Sequence, residues 1–353
     1  MVMCGSKKSR YVLVAAVMLL HLAGCAPGTV GSTAVGEAGL TPSQSIVSVV
    51  ATVCATPDPS HTSTLMAAGF APGQLEIHVL DVGHGDAQLI ISPTGETMLI
   101  DVGRKEYTAR TAEYLRQVLG GDLAVDYLMF SHYHGDHMQA FIPLMEEGLR
   151  IRRVILDRGG DRDEFTAGAW YGAFYDHVSD PANGLTRVRV YPGDQIDLGP
   201  DITVDVLSVG DIDTRTACGV PVLGENDNSI ALWLTYGDFD YWTAGDLTGE
   251  PYHSIEAAVI PLLPREVDVY RANHHAREQN NSPEFLSVLN PTVSIASTSS
   301  KVAHWNTIVA LEEYGDLYIT GEIPLHEASG DIVLTTRDGG SYTVEGKSYV
   351  SKP

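Results

Sequence analysis

The stretch Val125–Gln139, VDYLMFSHYHGDHMQ, constrains the fold more than any other part of the chain. An apolar run of strand length, VDYLMF, breaks off into a polar loop, and the apolar run MQAFIPLMEEG, which predicts a helix, follows at once. Strand, loop and helix in that order belong to an αβ sheet, where sites are built outside the carboxyl ends of the strands. The loop carries His132, His134, Asp136 and His137 within six positions. Divalent transition ions take neutral imidazole nitrogen and carboxylate oxygen, and catalytic sites keep one position open for water. On a tight loop, His132 and His134 reach one ion, while Asp136 and His137 point to a second a few ångströms away.

The remaining sequence supplies the context such a loop needs. From Gln74 onward, LEIHVLD, QLIIS and TMLIDVG are short β-like runs joined by VGHGDA and PTGE, which predicts an antiparallel meander. YTARTAEYLRQVLGG predicts a helix with Thr111, Tyr114, Leu115, Val118 and Leu119 on one side and a glycine pair to stop it. After the loop come IRRVILD, the aromatic segment AWYGAFYDHV, and the strands TRVRV and ITVDVLSV. Trp170, Tyr171, Phe174 and Tyr175 have near-helical spacing, which favours a core face over a substrate-stacking wall. A second hairpin, NSIALWLTYGDFDYWTAGD, precedes the helical SIEAAVI and the strand VDVYRAN; PTVSIAS, WNTIVALEEYG and a closing hairpin DIVLTTRDGGSYTV complete the chain. Two halves, each a hairpin followed by helix–strand units, predict two sheets packed face to face with helices outside.

The first 73 residues read differently. Lys7, Lys8 and Arg10 precede the apolar run YVLVAAVMLLHLAGC, which is too short for a comfortable membrane span and ends in Leu22-Ala23-Gly24-Cys25. This end resembles the lipobox of bacterial lipoproteins; the resemblance implies a signal peptide over 1–24, lipidation of Cys25, and an exported protein anchored to the cell envelope. An ordinary secretory signal or an uncleaved anchor would also send the chain out of the cytoplasm. Residues 25–73 are rich in Gly, Ala, Ser, Thr and Pro and read as a flexible tether, leaving 74–353 as the folded domain. Cys54 in the tether and Cys218 in a loop remain, and could pair in an oxidising compartment only if geometry allows. The formal charge of −23 disfavours tight non-specific binding of nucleic acid, and no basic stripe with interleaved aromatics is present.

SHYHGDH resembles the H-x-H-x-D-H signature of the metallo-β-lactamase superfamily, which implies an αββα sandwich with metals at one edge of the two sheets. Within that superfamily, LEIHVLDVGHGDAQLIISPTGETMLIDVG is similar to the extracellular domain of ComEC-type competence proteins and to phosphorylcholine esterases, which usually carry Gln at the position of His84. The resemblance spans about residues 75–347. YWTAGDL resembles the strand-end G-D that provides a bridging carboxylate, which implies Asp246. NHHAREQNNS resembles an H-H-G-S segment, which implies His275 as a ligand and His274 as a hydrogen-bond donor to substrate, or the reverse. Many members carry G-H-x-x-x-S before the central hairpin, where this chain has Gly224-Glu225-Asn226-Asp227-Asn228-Ser229. Glu225 therefore occupies the histidine's slot: it ligates through oxygen, or Asn226 does so weakly, or the site holds a single firm metal. Asp101 matches the position that orients the histidine loop from below; His84 and His304 are further candidates around the pocket.

The expected protein is an exported hydrolase with two divalent ions, Zn²⁺ first and Mn²⁺ as the alternative favoured by a carboxylate ligand. A metal-bound hydroxide would be the nucleophile, Asp136, Asp246 and His274 the catalytic side chains, and phosphodiesters or other phosphoesters the substrates. Lactone or β-lactam hydrolysis is the alternative enzyme. A metal-stabilised binding module on the cell surface is the alternative outside enzymes.

Overall fold

The computed structural model describes residues 73–165, 168–210, 224–250, 253–278, 280–299 and 302–353. The signal segment, Cys25, the tether before Gly73, Cys54 and Cys218 lie outside the described residues. The alternating run at the start gives β1 (Leu75–Val79), β2 (Gln88–Ile91) and β3 (Thr97–Ile100), paired antiparallel as expected. Helix α1 (Thr108–Val118) then buries Thr108, Thr111, Ala112 and Leu115, and the chain returns as β4 (Ala124–Met129) parallel to β3. After β4 come a single helical turn within the expected loop, α2 (Gly135–Met138), and α3 (Phe141–Glu146), the expected helix in shortened form. Strand β5 (Arg150–Asp157), helix α4 (Ala169–Ser179) and β6 (Arg187–Arg189) extend the sheet in parallel.

The second half repeats this logic. Strands β7 (Gln195–Ile196), β8 (Ile202–Ser208), β9 (Ala231–Tyr236) and β10 (Phe239–Thr243) pair antiparallel. A small ribbon, β11 (Gly249–Glu250) and β12 (His253–Ser254), leads into α5 (Ile255–Val259). Strand β13 (Val269–Arg271), helix α6 (Pro283–Leu289), β14 (Val293–Ala296), helix α7 (Trp305–Glu312) and β15 (Asp316–Ile319) add three strands parallel to β10. The last hairpin, β16 (Ile332–Thr336), β17 (Ser341–Val344) and β18 (Lys347–Val350), does not stay with this sheet. It crosses to the first one, where β16 pairs with β1. The result is a nine-stranded sheet ordered β18-β17-β16-β1-β2-β3-β4-β5-β6 beside a seven-stranded sheet ordered β15-β14-β13-β10-β9-β8-β7.

Three buried layers hold the sheets and helices together. Between the sheets, Ile77, Val79, Met98 and Ile100 of the first join Val204, Val206, Leu232 and Tyr241 of the second in one buried cluster. The outer face of the first sheet, through Leu89, Leu99 and Leu128, packs on Leu115 of α1, Phe141 of α3 and Phe174 of α4. The outer face of the second, through Trp233, Trp242 and Tyr270, packs on Phe285 of α6 and Ile308 of α7. The αββα sandwich expected from the sequence is thus the architecture observed. Each such side chain removed from water contributes ~1.5–3 kcal/mol, which is why the core can tolerate a polar edge. Tyr171 and Phe174 are buried, as a core face requires, and Trp170 is half-buried with its indole N–H on the Tyr133 carbonyl, 2.9 Å away. Among the described residues, no helix is long and apolar enough to cross a membrane.

Candidate metal centre

Parallel strands bring their carboxyl ends to the same edge, and the edges of the two sheets meet there. Asp101 follows β3, the His132–His137 loop follows β4, Asp246 follows β10, and His274 and His275 follow β13. Two glycines allow the close approach. A Cβ on Gly85 would stand 2.5 Å from the backbone oxygen of Asp136, and one on Gly245, whose φ is +51°, would stand 2.6 Å from Ser131 Oγ.

Asp246 is the centre of the group and is 2 % exposed. Its Oδ1 lies 3.1 Å from His137 Nε2 and 3.3 Å from His275 Nε2; its Oδ2 lies 3.3 Å from His274 Nε2 and 3.7 Å from His132 Nε2. The Asp246 N–H donates to Ser229 Oγ, which fixes the carboxylate's backbone. His134 Nδ1 lies 3.1 Å from His132 Nε2. On the other flank, Asp136 Oδ2 is 3.7 Å from His275 Nε2 and 2.9 Å from His84 Nε2. Ligand atoms of His132, His137 and Asp246 lie within 4.8 Å of one another, as do those of His84, Asp136 and His275.

In His132, His137 and His275 the second ring nitrogen is tied elsewhere, and this decides what each ring offers the centre. His137 Nδ1 is 2.7 Å from Asp101 Oδ2, and His275 Nδ1 is 2.9 Å from the Ser297 carbonyl; both partners only accept, so both Nδ1 atoms carry hydrogen. Ser131 Oγ donates to Asp101 Oδ2 and lies 3.1 Å from His132 Nδ1, so it accepts from that ring. Asp101, with φ +57° and no exposure, also accepts the Ser131 N–H, so one carboxylate orients two loop residues. His137 Nε2, His275 Nε2 and Asp246 Oδ1 are buried without a hydrogen-bond partner. Buried polar atoms are normally satisfied, so converging orphan nitrogens around an orphan carboxylate oxygen match the donor set of a divalent cation.

The electrostatics agree. Burial holds His132 well below an ordinary imidazole, aided by the charge of His137, and burial takes His275 down to about 3, so both rings are neutral. Burial alone would raise Asp246, but His274, His275, His137 and His132 outweigh it and hold the carboxyl well below the usual range. Asp136 is likewise held ionised against burial, chiefly by its hydrogen bond from His84. Burial opposes charge on His137, yet Asp246 and Asp101 on its two sides hold it well above an ordinary imidazole. In the cation-free protein His137 therefore carries a positive charge between the two acids.

Two expected site residues lie elsewhere. Glu225 is held by other partners: Arg158 donates Nε to its Oε1 and Nη2 to its Oε2, each at 2.9 Å, the Tyr133 N–H donates to Oε1 at 3.0 Å, and Asn228 donates to Oε2 at 3.0 Å. A carboxylate with that many donors is a structural acceptor, and it braces the backbone of the histidine loop at Tyr133. His304 stands at the start of α7, about one third exposed, with Nε2 3.6 Å from Glu278. Sequence reasoning passed over two further residues. Arg271, wholly buried, bridges Asp86 Oδ2 and the Gly245 carbonyl beneath the site. Arg158 left no signal in the sequence, because its partner lies 67 positions away.

Residues 80–148, which include the histidine loop, match the family model described as Metallo-beta-lactamase superfamily. No curated protein matches the chain in sequence. Among solved structures, the metallo-beta-lactamase fold protein YhfI from Bacillus subtilis is 15 % identical, with 73 % of this chain and 98 % of that one covered at a TM-score of 0.46. A diphosphatase from the PhnP family is 14 % identical, with 74 % and 98 % covered and a TM-score of 0.43. CmlA, a diiron beta-hydroxylase from Streptomyces venezuelae, is 14 % identical, with 76 % and 55 % covered and a TM-score of 0.45.

Proposed function

We propose that this chain is a metal-dependent hydrolase of phosphodiesters or other phosphoesters, of the ComEC-like kind, working with two divalent cations, Zn²⁺ in the first place. The observation that carries this reading is the buried set of imidazole nitrogens of His132, His137 and His275 turned on the ionised Asp246 and Asp136. Divalent cations held by those residues supply Lewis acidity and bring the pKa of water toward neutrality. The chain's own part is positional. Asp246 and Asp136 stay ionised and accept hydrogen bonds from an attacking water; Asp101 and Ser297 keep the rings of His137 and His275 in the tautomer the centre needs. Two guanidinium groups favour an anionic ester. Arg104 lies 3.9 Å from Asp136 on one side, and Arg277, exposed and without a carboxylate partner among the described residues, lies 3.4 Å from His274 on the other. These are local cations on a chain whose net charge is −23.

The test is a substrate panel on protein loaded with Zn²⁺ or Mn²⁺: bis(p-nitrophenyl) phosphate, p-nitrophenyl phosphorylcholine, a lactone and a β-lactam. Turnover of the phosphoesters, abolished by a chelator and restored by metal, is the expected result, with His134→Ala reduced at least about 100-fold. Turnover confined to the lactone or β-lactam overturns the substrate class. A protein that binds cations yet hydrolyses nothing on the panel is a binding module instead.

Export and anchoring rest on the sequence before residue 74. We propose that Cys25 is lipidated and holds the domain on the outer side of a membrane. Expressed in a bacterium, the parent chain should partition into detergent and Cys25→Ser into the aqueous phase; equal partition of both would dismiss the anchor.

A further inference from the structure

Glu225 is taken by the Arg158 fork, so that carboxylate is committed away from Asp246. The backbone after β13 instead brings a second imidazole to Asp246. His274 (φ 49°, ψ 48°), His275 (φ 54°, ψ 31°) and Ala276 (φ 57°) lie in succession in the left-handed region, which non-glycine residues seldom enter even singly. In an extended strand two neighbours would point to opposite faces. In this turn both imidazoles reach one carboxylate, His275 at Oδ1 and His274 at Oδ2, each at 3.3 Å.

Hydrogen bonds fix the tautomer of His274. Asn280 donates Nδ2 to the Leu247 carbonyl at 2.8 Å, which turns its Oδ1 onto His274 Nδ1 at 3.0 Å. An amide oxygen only accepts, so Nδ1 carries the hydrogen and Nε2 of the neutral ring presents a lone pair. Arg277, which only donates, lies 3.4 Å from that Nε2, consistent with the same tautomer. Asn226 Nδ2, also a donor, lies 3.3 Å from the same Nε2, so the lone pair is turned outward among donors with Asp246 Oδ2 beside it at 3.3 Å, the arrangement that a cation would take over. Backbone strain of the kind in this turn points toward function.

We propose that His274 is a metal ligand, with the adjacent histidines divided between the two cations: His274 joins His132 at Asp246 Oδ2, and His275 joins Asp136 on the Oδ1 side. The inference rests on the metal-dependent hydrolase reading.

The experiment counts ions. The full chain in detergent is loaded with Zn²⁺ or Co²⁺, dialysed and analysed by elemental mass spectrometry. The parent should hold about two ions per chain, His274→Ala about one, His275→Ala about one, and the double variant none. Two ions retained in His274→Ala, or one retained in the double variant, overturns the division. A folded parent without any ion overturns the hydrolase reading beneath it, which is a separate outcome. Should His274→Ala fail to fold, His274→Asn keeps a polar side chain there. Its cobalt absorption should change by the loss of one nitrogen ligand, and a spectrum identical to the parent's counts against the proposal.

Discussion

Asp246→Asn should lower phosphodiester turnover by about 10³-fold or more and strip the protein of bound cation, the largest functional loss expected from one substitution. Asn keeps the shape but offers one neutral oxygen, and its NH₂ has no lone pair to give a cation. Both oxygens of Asp246 are in use, with two histidines near each, so no rotamer of Asn restores the set. The pH dependence of loading carries the same signature. His137 is raised by Asp246 and Asp101 against burial, so it is protonated in the cation-free protein below its elevated pKa. Binding at its Nε2 must expel that proton, so cation affinity should fall as pH drops from 8 to 5. Calorimetric titration in two buffers of different ionisation enthalpy reads the released proton directly. Activity within tenfold of the parent, with the metal content intact, would remove Asp246 from the centre.

Arg271→Met should be the most destabilising single change near the site, by ~3–5 kcal/mol at neutral pH, because it leaves Asp86 buried without its counter-charge. Both side chains are fully buried, and the guanidinium also holds the Gly245 carbonyl, one residue before Asp246. Burial raises the Asp86 carboxyl to about 6 even with Arg271 lowering it. The sign follows from linkage. A carboxyl whose folded pKa exceeds its unfolded value binds a proton on folding; its contribution is full below about pH 4 and is lost as pH rises through the folded pKa. Without Arg271 that pKa moves higher still, so the deficit of the variant should be smallest near pH 5 and grow toward pH 8. Urea denaturation of both proteins at pH 5 and pH 8 measures it. A deficit equal at the two pH values would show that lost packing, and not the stranded charge, is responsible.

Local sequence carried much of the fold. LEIHVLD, QLIIS and VDYLMF gave strands because short apolar runs bounded by turn residues suit a sheet covered on both faces, and all three are central and almost wholly buried. The H-x-H-x-D-H loop was legible for a similar reason: its groups are neighbours in the chain, so spacing alone brings them together. Asp101 and Asp246 were found as strand-end carboxylates, and the structure sets one beneath the histidine loop and the other at its centre.

Relations between distant residues were not legible. Nothing in DIVLTTRDGGSYTV says that the last hairpin pairs with β1, because strand partners are chosen by the packing of two sheets and not by the strand's own residues. Arg158 and Glu225 are 67 positions apart, and Arg271 and Asp86 farther still, so neither pair leaves a periodic trace. The adjacent histidines show the division most clearly. The sequence by itself determined that two imidazoles follow a strand beside a carboxylate; only the tertiary structure decided that both reach it. That outcome depends on a left-handed turn, and on Asn280, Leu247 and Ser297 arriving from elsewhere to fix which nitrogen of each ring is free.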